Sequence, residues 1–186
     1  NNSSKVLQSF SMLKYFDYSV TFAEFPDEIS LCVNLSNCPN KCEKCSESWL
    51  AQDIGTVLNE DSILELIEKN PGITLFGFMG GDNDPEERVV LSKFIKNKFG
   101  IKTGVYSGAN SIYLSGIETF DYYKYGKWIY PFDENGSLIC DKQCGPICYV
   151  GTNQKMFEIR NGKMTDITYR FQKDKISNLK NFVQED

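Results

Sequence analysis

Residues 73–79 read Ile-Thr-Leu-Phe-Gly-Phe-Met, a short apolar run that ends at the loop Gly80-Gly81-Asp82. An apolar run of this length, without polar alternation, is typical of a strand buried on both faces of a parallel sheet. Residues 84–87, Asp-Pro-Glu-Glu, then supply a capping residue, a proline for the first helical turn and two acids that suit a helix N-terminus. Strand, glycine loop and helix in this order indicate a βα unit.

The flanking segments continue this alternation. Helices are expected to begin at 59–61 and 84–87, and a last helix is predicted at 176–183. Strands are predicted at 15–23, 29–35, 73–79, 101–106 and 118–125, with a hairpin of 155–160 and 164–171 around Asn161-Gly162. The pattern predicts an α/β fold with a mostly parallel sheet. Residues 12–186 are expected to form a single domain, and residues 1–11 are interpreted as a tag or disordered leader.

In a parallel sheet, ligands bind outside the carboxyl ends of the strands. Three polar or glycine-rich loops follow predicted strands, at residues 36–46, 80–84 and 107–110. These loops are therefore expected to lie together on one edge of the sheet, where the functional site is predicted.

The composition argues against several classes of function. The 186 residues carry a formal net charge of −5 and no block of basic residues, which argues against nucleic acid as the main partner. The longest strongly apolar run is far shorter than the roughly 18 residues of a membrane span. The chain has no histidine, which excludes Ser–His and Cys–His nucleophile pairs and Cys/His zinc sites. Its chemistry must use thiolates, carboxylates, Lys, Tyr or a bound cofactor.

The most informative motif is the cysteine loop, which holds Cys38, Cys42 and Cys45 in a C-x3-C-x2-C spacing. Thiolates are the ligands of iron–sulfur clusters, and a four-iron cluster normally takes four of them. Three local thiolates would leave one iron open to a substrate, as catalytic metal sites keep an open position. The alternatives are a zinc knuckle completed by a distant cysteine, or three ordinary reduced thiols.

The other four cysteines have simpler interpretations. Cys140, Cys144 and Cys148 form a looser C-x3-C-x3-C group. This group is compatible with a second iron–sulfur or zinc site, with reduced structural thiols or with a local redox pair. Cys32 lies within a predicted strand, where a small core residue is the simplest interpretation.

The cysteine loop resembles the signature of radical S-adenosylmethionine enzymes. Five segments, in this order, further resemble the activating proteins of anaerobic (class III) ribonucleotide reductase: 33–40, 78–82, 106–108, 152–154 and 166–171. The resemblance covers residues 12–171. It implies a partial (β/α) barrel of the radical SAM type with a mostly parallel sheet.

The resemblance also implies an activity. Cys38, Cys42 and Cys45 would hold one [4Fe–4S] cluster, and S-adenosylmethionine would be cleaved reductively to methionine and a 5′-deoxyadenosyl radical. That radical would generate a glycyl radical on the anaerobic ribonucleotide reductase. A one-electron donor such as flavodoxin or ferredoxin, a cytoplasmic location and no membrane partner are expected. The alternatives are activation of a formate-lyase type of glycyl-radical enzyme, or a non-catalytic iron–sulfur or zinc binding module.

The resemblance assigns roles to individual residues outside the cysteine ligands. Gly80, Gly81 and Asp82 match the motif that accepts the amino group of the cofactor, and Ser107 matches a hydroxyl that contacts its ribose. Lys44 stands where many members carry an aromatic residue that packs on the adenine, and is expected to contact the cofactor.

Three further positions keep two interpretations each. Asp121 matches an acidic residue near the cavity of related activators, or has a surface or helix-capping role. Asn153 and Gln154 face the glycine-bearing loop of the partner, or satisfy backbone groups in a turn.

Overall fold

The computed structural model describes residues 13–139, 144–148 and 150–172. Eight strands form one sheet: β1 (Lys14–Thr21), β2 (Ser30–Leu35), β3 (Thr56–Val57), β4 (Leu75–Met79), β5 (Lys102–Tyr106), β6 (Tyr122–Tyr125), β7 (Lys155–Arg160) and β8 (Lys163–Asp166). The described part of the chain holds two α-helices, α1 (Glu60–Lys69) and α2 (Pro85–Phe99), and none of its helices is long and apolar enough to cross a membrane.

The partial (β/α) barrel with a mostly parallel sheet, expected from the sequence, is wrong. The strand order is β3-β1-β2-β4-β5-β6-β7-β8, and only the three pairings from β2 through β4 and β5 to β6 are parallel. The other four pairings are antiparallel. The connection from β5 to β6 contains only the 3₁₀ turn Ile117–Thr119 where a barrel would need a covering helix. The described residues form a mixed sheet with two α-helices.

Local signals place most elements where the sequence predicted them. The Asn59 side chain caps α1 in a reciprocal capping box with Ser62, and Asp84 caps α2 through the backbone N–H of Glu87. Helix α2 ends at Gly100, which adopts the left-handed conformation with a φ of 67°.

Most of the differing strand boundaries are shifted from the predictions by one or two residues, and two are shifted by four or more. The predicted strand 118–125 begins only at Tyr122, and the second hairpin strand ends at Asp166. The short strand β3 was not predicted. The leader at 1–11 and the helix at 176–183 lie outside the described residues.

The sheet has a different core on each face. Successive residues of a strand point to opposite faces, and Leu31 and Val33 join the larger cluster whereas Cys32 joins the smaller one. The larger cluster includes Ile63 of α1 and Leu91 of α2, so it lies between the helices and the sheet. The smaller cluster covers the other face, which we call the inner face, and contains Phe25, Cys32, Leu75, Tyr122, Met156 and Ile167.

Phe25 belongs to the core of the inner face, to which neither α1 nor α2 contributes a residue. Its ring is fully buried and packs edge-on against the ring of Tyr106, with 5.1 Å between the ring centroids. Two strand glycines make room for this ring: a Cβ on Gly77 or on Gly104 would lie 2.7 Å from a Phe25 ring carbon. The absent side chains at these positions are therefore a packing requirement.

Replacing Gly104 by alanine is expected to lower the free energy of unfolding by about 1–3 kcal/mol, because an added methyl group overpacks the Phe25 ring. Urea unfolding followed by circular dichroism measures this loss. The double variant Gly104→Ala/Phe25→Leu is the control, since the smaller side chain makes room and restores part of the stability. A single variant as stable as the wild type would show that the ring is not confined there.

Candidate functional site

The three loops predicted to share an edge meet at the carboxylate of Asp82. They follow β2, β4 and β5, which are adjacent and parallel. Asn40 of the cysteine loop donates to Asp82 Oδ2 at 2.6 Å, and Ser107 Oγ donates to Asp82 Oδ1 at 2.7 Å. The backbone N–H of Gly108 also donates to Oδ2, at 2.9 Å. The prediction that loops 36–46, 80–84 and 107–110 lie together is confirmed.

Arg88 of α2 completes the surroundings of this carboxylate. Its guanidinium donates to Asp82 Oδ1 at 3.1 Å and to the carbonyl of Gly80 at 2.8 Å, and the two side chains are 2% and 7% exposed. A carboxylate offers about four lone-pair positions, and four donors occupy those of Asp82. Asp82 thus orders the loops in this arrangement. Its role in accepting the amino group of a cofactor stays a prediction.

Gly80 and Gly81 are required by the backbone. Their φ angles are 111° and 81°, values that side-chain-bearing residues rarely adopt. A Cβ on Gly81 would lie 2.7 Å from Leu35 Cδ1 and 3.0 Å from Arg88 Cδ. These glycines let the loop that joins β4 to α2 turn tightly against Leu35 and Arg88. The turn brings Asp82 to the edge of the sheet.

The cysteine loop holds three non-glycine residues in the left-handed region, namely Asn37, Lys41 and Lys44, with φ values of 58°, 43° and 51°. Such conformations carry a cost and cluster at functional sites. The loop is anchored at its start, where the backbone N–H of Cys38 donates to the carbonyl of Leu50 at 2.9 Å. The loop is therefore held in an uncommon path that carries all three motif cysteines.

Cys38, Cys42 and Cys45 are free thiols of intermediate exposure. Partial burial raises the pKa of the Cys42 thiol above its usual value, and the neighbouring Cys45 and Cys38 raise it further. The backbone N–H of Trp128 and the charge of Lys127 act in the opposite direction. The three thiols thus lie within electrostatic range of one another, in surroundings that also contain stabilising donors.

The donor chemistry of the loop fits a thiolate-ligated cluster, because iron–sulfur centres take cysteine ligands at this kind of spacing. Within residues 13–139, 144–148 and 150–172, no group of three or more Cys, Asp or Glu side chains is already drawn together as a metal site. Ligation would therefore require the three thiols of the cysteine loop to converge further.

A segment after β6, residues 126–130, forms a wall beside the cysteine loop. The indole of Trp128 donates to the carbonyl of Lys44 at 3.2 Å, and the Lys44 ammonium lies 4.2 Å from the ring centroid of Tyr130. Lys44 therefore contacts this wall, and its role as a cofactor contact stays a prediction.

Residues 152–154, Thr-Asn-Gln, form side-chain hydrogen bonds to the backbone of the 126–130 segment and of Gly145. The Asn153 amide donates to the carbonyl of Lys127 at 2.8 Å, and the Gln154 amide donates to that of Gly126 at 3.4 Å. Thr152 Oγ1 donates to the carbonyl of Gly145 at 3.0 Å. The Asn153 and Gln154 amides therefore satisfy backbone carbonyls, in agreement with one of the two interpretations, and a role in facing the partner stays a prediction.

Asp121 lies at the opposite edge, because it precedes β6 whereas the site follows the carboxyl ends of the parallel strands. Its carboxylate accepts from the backbone N–H of Thr103 at 2.9 Å and pairs with Lys96 at 2.8 Å. Asp121 thus has a structural role at a partly exposed position, as the surface interpretation expected, and it binds the backbone of a strand and caps no helix.

Sequence reasoning missed Asn40, Arg88 and Lys124. Lys124 lies in β6 beside Tyr106, with its ammonium 4.4 Å from the ring centroid, and burial lowers its pKa to about 8. The cysteine motif drew attention to its thiols alone, although Asn40 lies between two of them. Nothing in the helical pattern of α2 marks Arg88 as buried.

The second cysteine group is not a uniform set. Cys144 is buried and disulfide-bonded, whereas Cys148 is free, and Cys140 lies outside the described residues. The interpretation of all three as reduced structural thiols is wrong for Cys144. In its disulfide form Cys144 has no thiolate to offer a second metal site.

Alkylation should separate the cysteine loop from the core thiol. At pH 8, iodoacetamide is expected to modify Cys38 and Cys45 while leaving Cys32 intact, because burial raises the pKa of Cys32 to about 12. Mass spectrometry of the tryptic peptides measures the modified fractions. Labelling in guanidinium chloride is the control, in which Cys32 should react fully. Equal rates for Cys32 and the loop in the native protein would contradict the burial.

The described edge of the sheet combines three free thiols, a glycine turn and the carboxylate of Asp82, which accepts four hydrogen bonds. Comparisons of the chain with protein-family models, curated proteins and solved structures found no match.

Proposed function

We propose that this chain is a radical SAM activase that generates a glycyl radical on anaerobic ribonucleotide reductase. One observation carries the proposal: the three free thiols of the C-x3-C-x2-C loop lie at the edge where parallel strands β2, β4 and β5 end. This is the edge at which sheets with parallel strands bind ligands. The absence of histidine leaves thiolates as the obvious metal ligands.

Cys38, Cys42 and Cys45 would hold one [4Fe–4S] cluster, and no fourth protein ligand is assigned. When bound, this group supplies the electron that cleaves S-adenosylmethionine to methionine and a 5′-deoxyadenosyl radical. The low potential needed for that electron lies within the range of roughly −700 to +450 mV that proteins impose on such clusters.

The chain's own residues would orient the cysteine loop relative to the rest of the site. Asn40 connects the cysteine loop to Asp82, so the thiols are held at a fixed place relative to the glycine loop and Ser107. Burial raises the pKa of the Cys42 thiol, and the backbone N–H of Trp128 acts in the opposite direction, towards the thiolate form that ligates iron. The contact between Asn40 and Asp82 supports a loop that is held at this edge of the sheet, where the three thiols would converge on a sulfur-ligated group.

The proposed substrates follow from this chemistry. Gly80, Gly81, Asp82 and Ser107 would contact S-adenosylmethionine, with Lys44 at its border. The target is a glycine Cα–H of the reductase, since glycine has no side chain that blocks approach. A flavodoxin or ferredoxin in the same cytoplasmic compartment would supply the electron.

The test is anaerobic reconstitution with iron and sulfide, reduction, and electron paramagnetic resonance with and without S-adenosylmethionine. We expect a reduced-cluster signal that changes when S-adenosylmethionine is added, 5′-deoxyadenosine as product, and a glycyl radical doublet when the reductase is present. A cluster indifferent to S-adenosylmethionine, or stoichiometric zinc in place of iron, would overturn the proposal in favour of a binding module. A doublet on a formate-lyase type of enzyme but not on the reductase would reassign the partner.

A further inference from the structure

Lys124 places an amine on the inner face of the sheet. Tyr122, two residues earlier in β6, belongs to the inner-face core, and residues two apart in a strand point to the same side. The Lys124 ammonium lies 4.4 Å from the ring centroid of Tyr106, and within residues 13–139, 144–148 and 150–172 it forms no hydrogen bond or ion pair. Burial lowers its pKa to about 8, so much of the amine is neutral near that pH.

The segment 144–148 brings a thiol to the same face. Ile147 packs against the inner-face core, as Tyr106 does. The backbone N–H of Gly145 donates to the carbonyl of Ile129 at 2.9 Å, which holds the segment against the chain that follows β6. Cys148 is a free thiol of intermediate exposure, and it is close enough to Lys124 to act on the pKa of that amine. Amine and thiol therefore lie near each other, with the thiol open to small oxidants.

The other cysteines nearby are poor partners for Cys148. A thiol that is oxidised to a sulfenic acid usually condenses with a second thiol. Cys144 is already disulfide-bonded, and burial raises the pKa of Cys32 to about 12, which keeps it a weakly nucleophilic thiol. The Lys124 amine is thus the available nucleophile close to Cys148 in the described part of the chain.

We propose that Lys124 and Cys148 form a site of oxidative modification, where hydrogen peroxide links the amine nitrogen to the thiol sulfur as a sulfenamide. In the first step the sulfur gives an electron pair to one peroxide oxygen, the O–O bond breaks, and a sulfenic acid and water form. In the second step the neutral amine attacks that sulfur. The S–N bond forms, the S–O bond breaks, and the leaving hydroxide takes a proton from the amine to become water.

This bond would connect strand β6 to the segment 144–148. Through Gly145 the segment is hydrogen-bonded to Ile129, which lies in the wall beside the cysteine loop. Oxidation would therefore fix the surroundings of the loop without using any of its thiols. Neither Lys124 nor Cys148 is assigned to the cluster or to S-adenosylmethionine, so the modification stands independently of the proposed activity.

Peptide mapping after peroxide treatment tests the linkage. The full-length protein, with its Cys144 disulfide intact and before cluster reconstitution, is treated with a small excess of hydrogen peroxide, and the remaining thiols are blocked with iodoacetamide. We expect a peptide with Lys124 joined to one with Cys148, lighter by about 2 Da than the two together because two hydrogens are lost. Trypsin should no longer cleave after Lys124. Dithiothreitol should restore the separate peptides, since its two thiols reduce the S–N bond.

Two variants and a control assign the linkage to this pair. Lys124→Met and Cys148→Ser should each remove the linked peptide. In Lys124→Met, Cys148 should continue to the sulfinic acid, heavier by about 32 Da. Lys69→Met is the matched control, because Lys69 is exposed on α1, and it should leave the linkage unchanged.

The wild-type protein alone can contradict the proposal. Cys148 joined to another cysteine, Cys148 oxidised to the sulfinic acid beside an unmodified Lys124, or a Cys148 that peroxide does not oxidise would each do so. Melting curves of the variants show whether each retains its fold.

Discussion

Cys42→Ala should abolish cluster binding and the formation of 5′-deoxyadenosine. Cys42 is the middle thiol of the loop, and both Cys38 and Cys45 are close enough to it to raise its pKa. Loss of a direct ligand should exceed the roughly 10–100-fold loss of metal affinity that is typical when a ligand's supporting partner is removed. Iron content, the reduced-cluster signal and product yield measure the effect.

Cys32→Ala is the matched control, because Cys32 is a free thiol buried in the inner-face core and lies outside the cysteine loop. This variant should retain the wild-type iron content. Equal loss of iron in both variants would show that general destabilisation, and not ligation, explains the result. Full activity of Cys42→Ala would show that the cysteine loop takes no part in the proposed chemistry.

Arg88→Met should lower the free energy of unfolding by about 3–5 kcal/mol, because it leaves the buried carboxylate of Asp82 without its cation. Methionine preserves much of the volume of the arginine stem, so the loss reports mainly on charge and hydrogen bonding. Arg88 also donates to the carbonyl of Gly80, which would lose this donor. Urea unfolding measures the change through its midpoint and slope.

Lys69→Met provides the comparison for this pair. Lys69 and Glu65 form an exposed ion pair one helical turn apart, which should contribute at most about 0.5 kcal/mol. The double variant Arg88→Met/Asp82→Asn should recover part of the loss, since the uncompensated charge is removed. A loss for Arg88→Met no larger than that for Lys69→Met would contradict the buried arrangement.

Local structure was largely predictable from the sequence. Capping residues at Asn59 and Asp84, the stop at Gly100 and the apolar run at 73–79 each act within a few residues, and the corresponding helices and strand formed. Strand direction depends on partners distant in the chain. The antiparallel pairing of β1 with β2, and of β6 with β7, has no local signature, and this is why the barrel expectation failed.

The residues of the candidate site also fall into two groups, those that the sequence predicts and those that it does not. The cysteine loop and Gly80-Gly81-Asp82 could be found from spacing, because ligand sets and tight turns are local patterns. Arg88 could not be found, because its burial depends on the approach of α2 to the strand ends. The structural role of Asp82 could not be found for the same reason: its carboxylate accepts from Asn40, Ser107 and Arg88, which are far apart in the chain.

The convergence of three loops on Asp82 has a consequence for how this molecule can change over evolution. A substitution at Asn40 or Ser107 would leave part of the carboxylate unsatisfied in a buried place, so each position constrains the others. We therefore expect Asn40, Asp82, Arg88 and Ser107 to be inherited as a set. Transplanting the cysteine loop into another scaffold would require moving all four residues together.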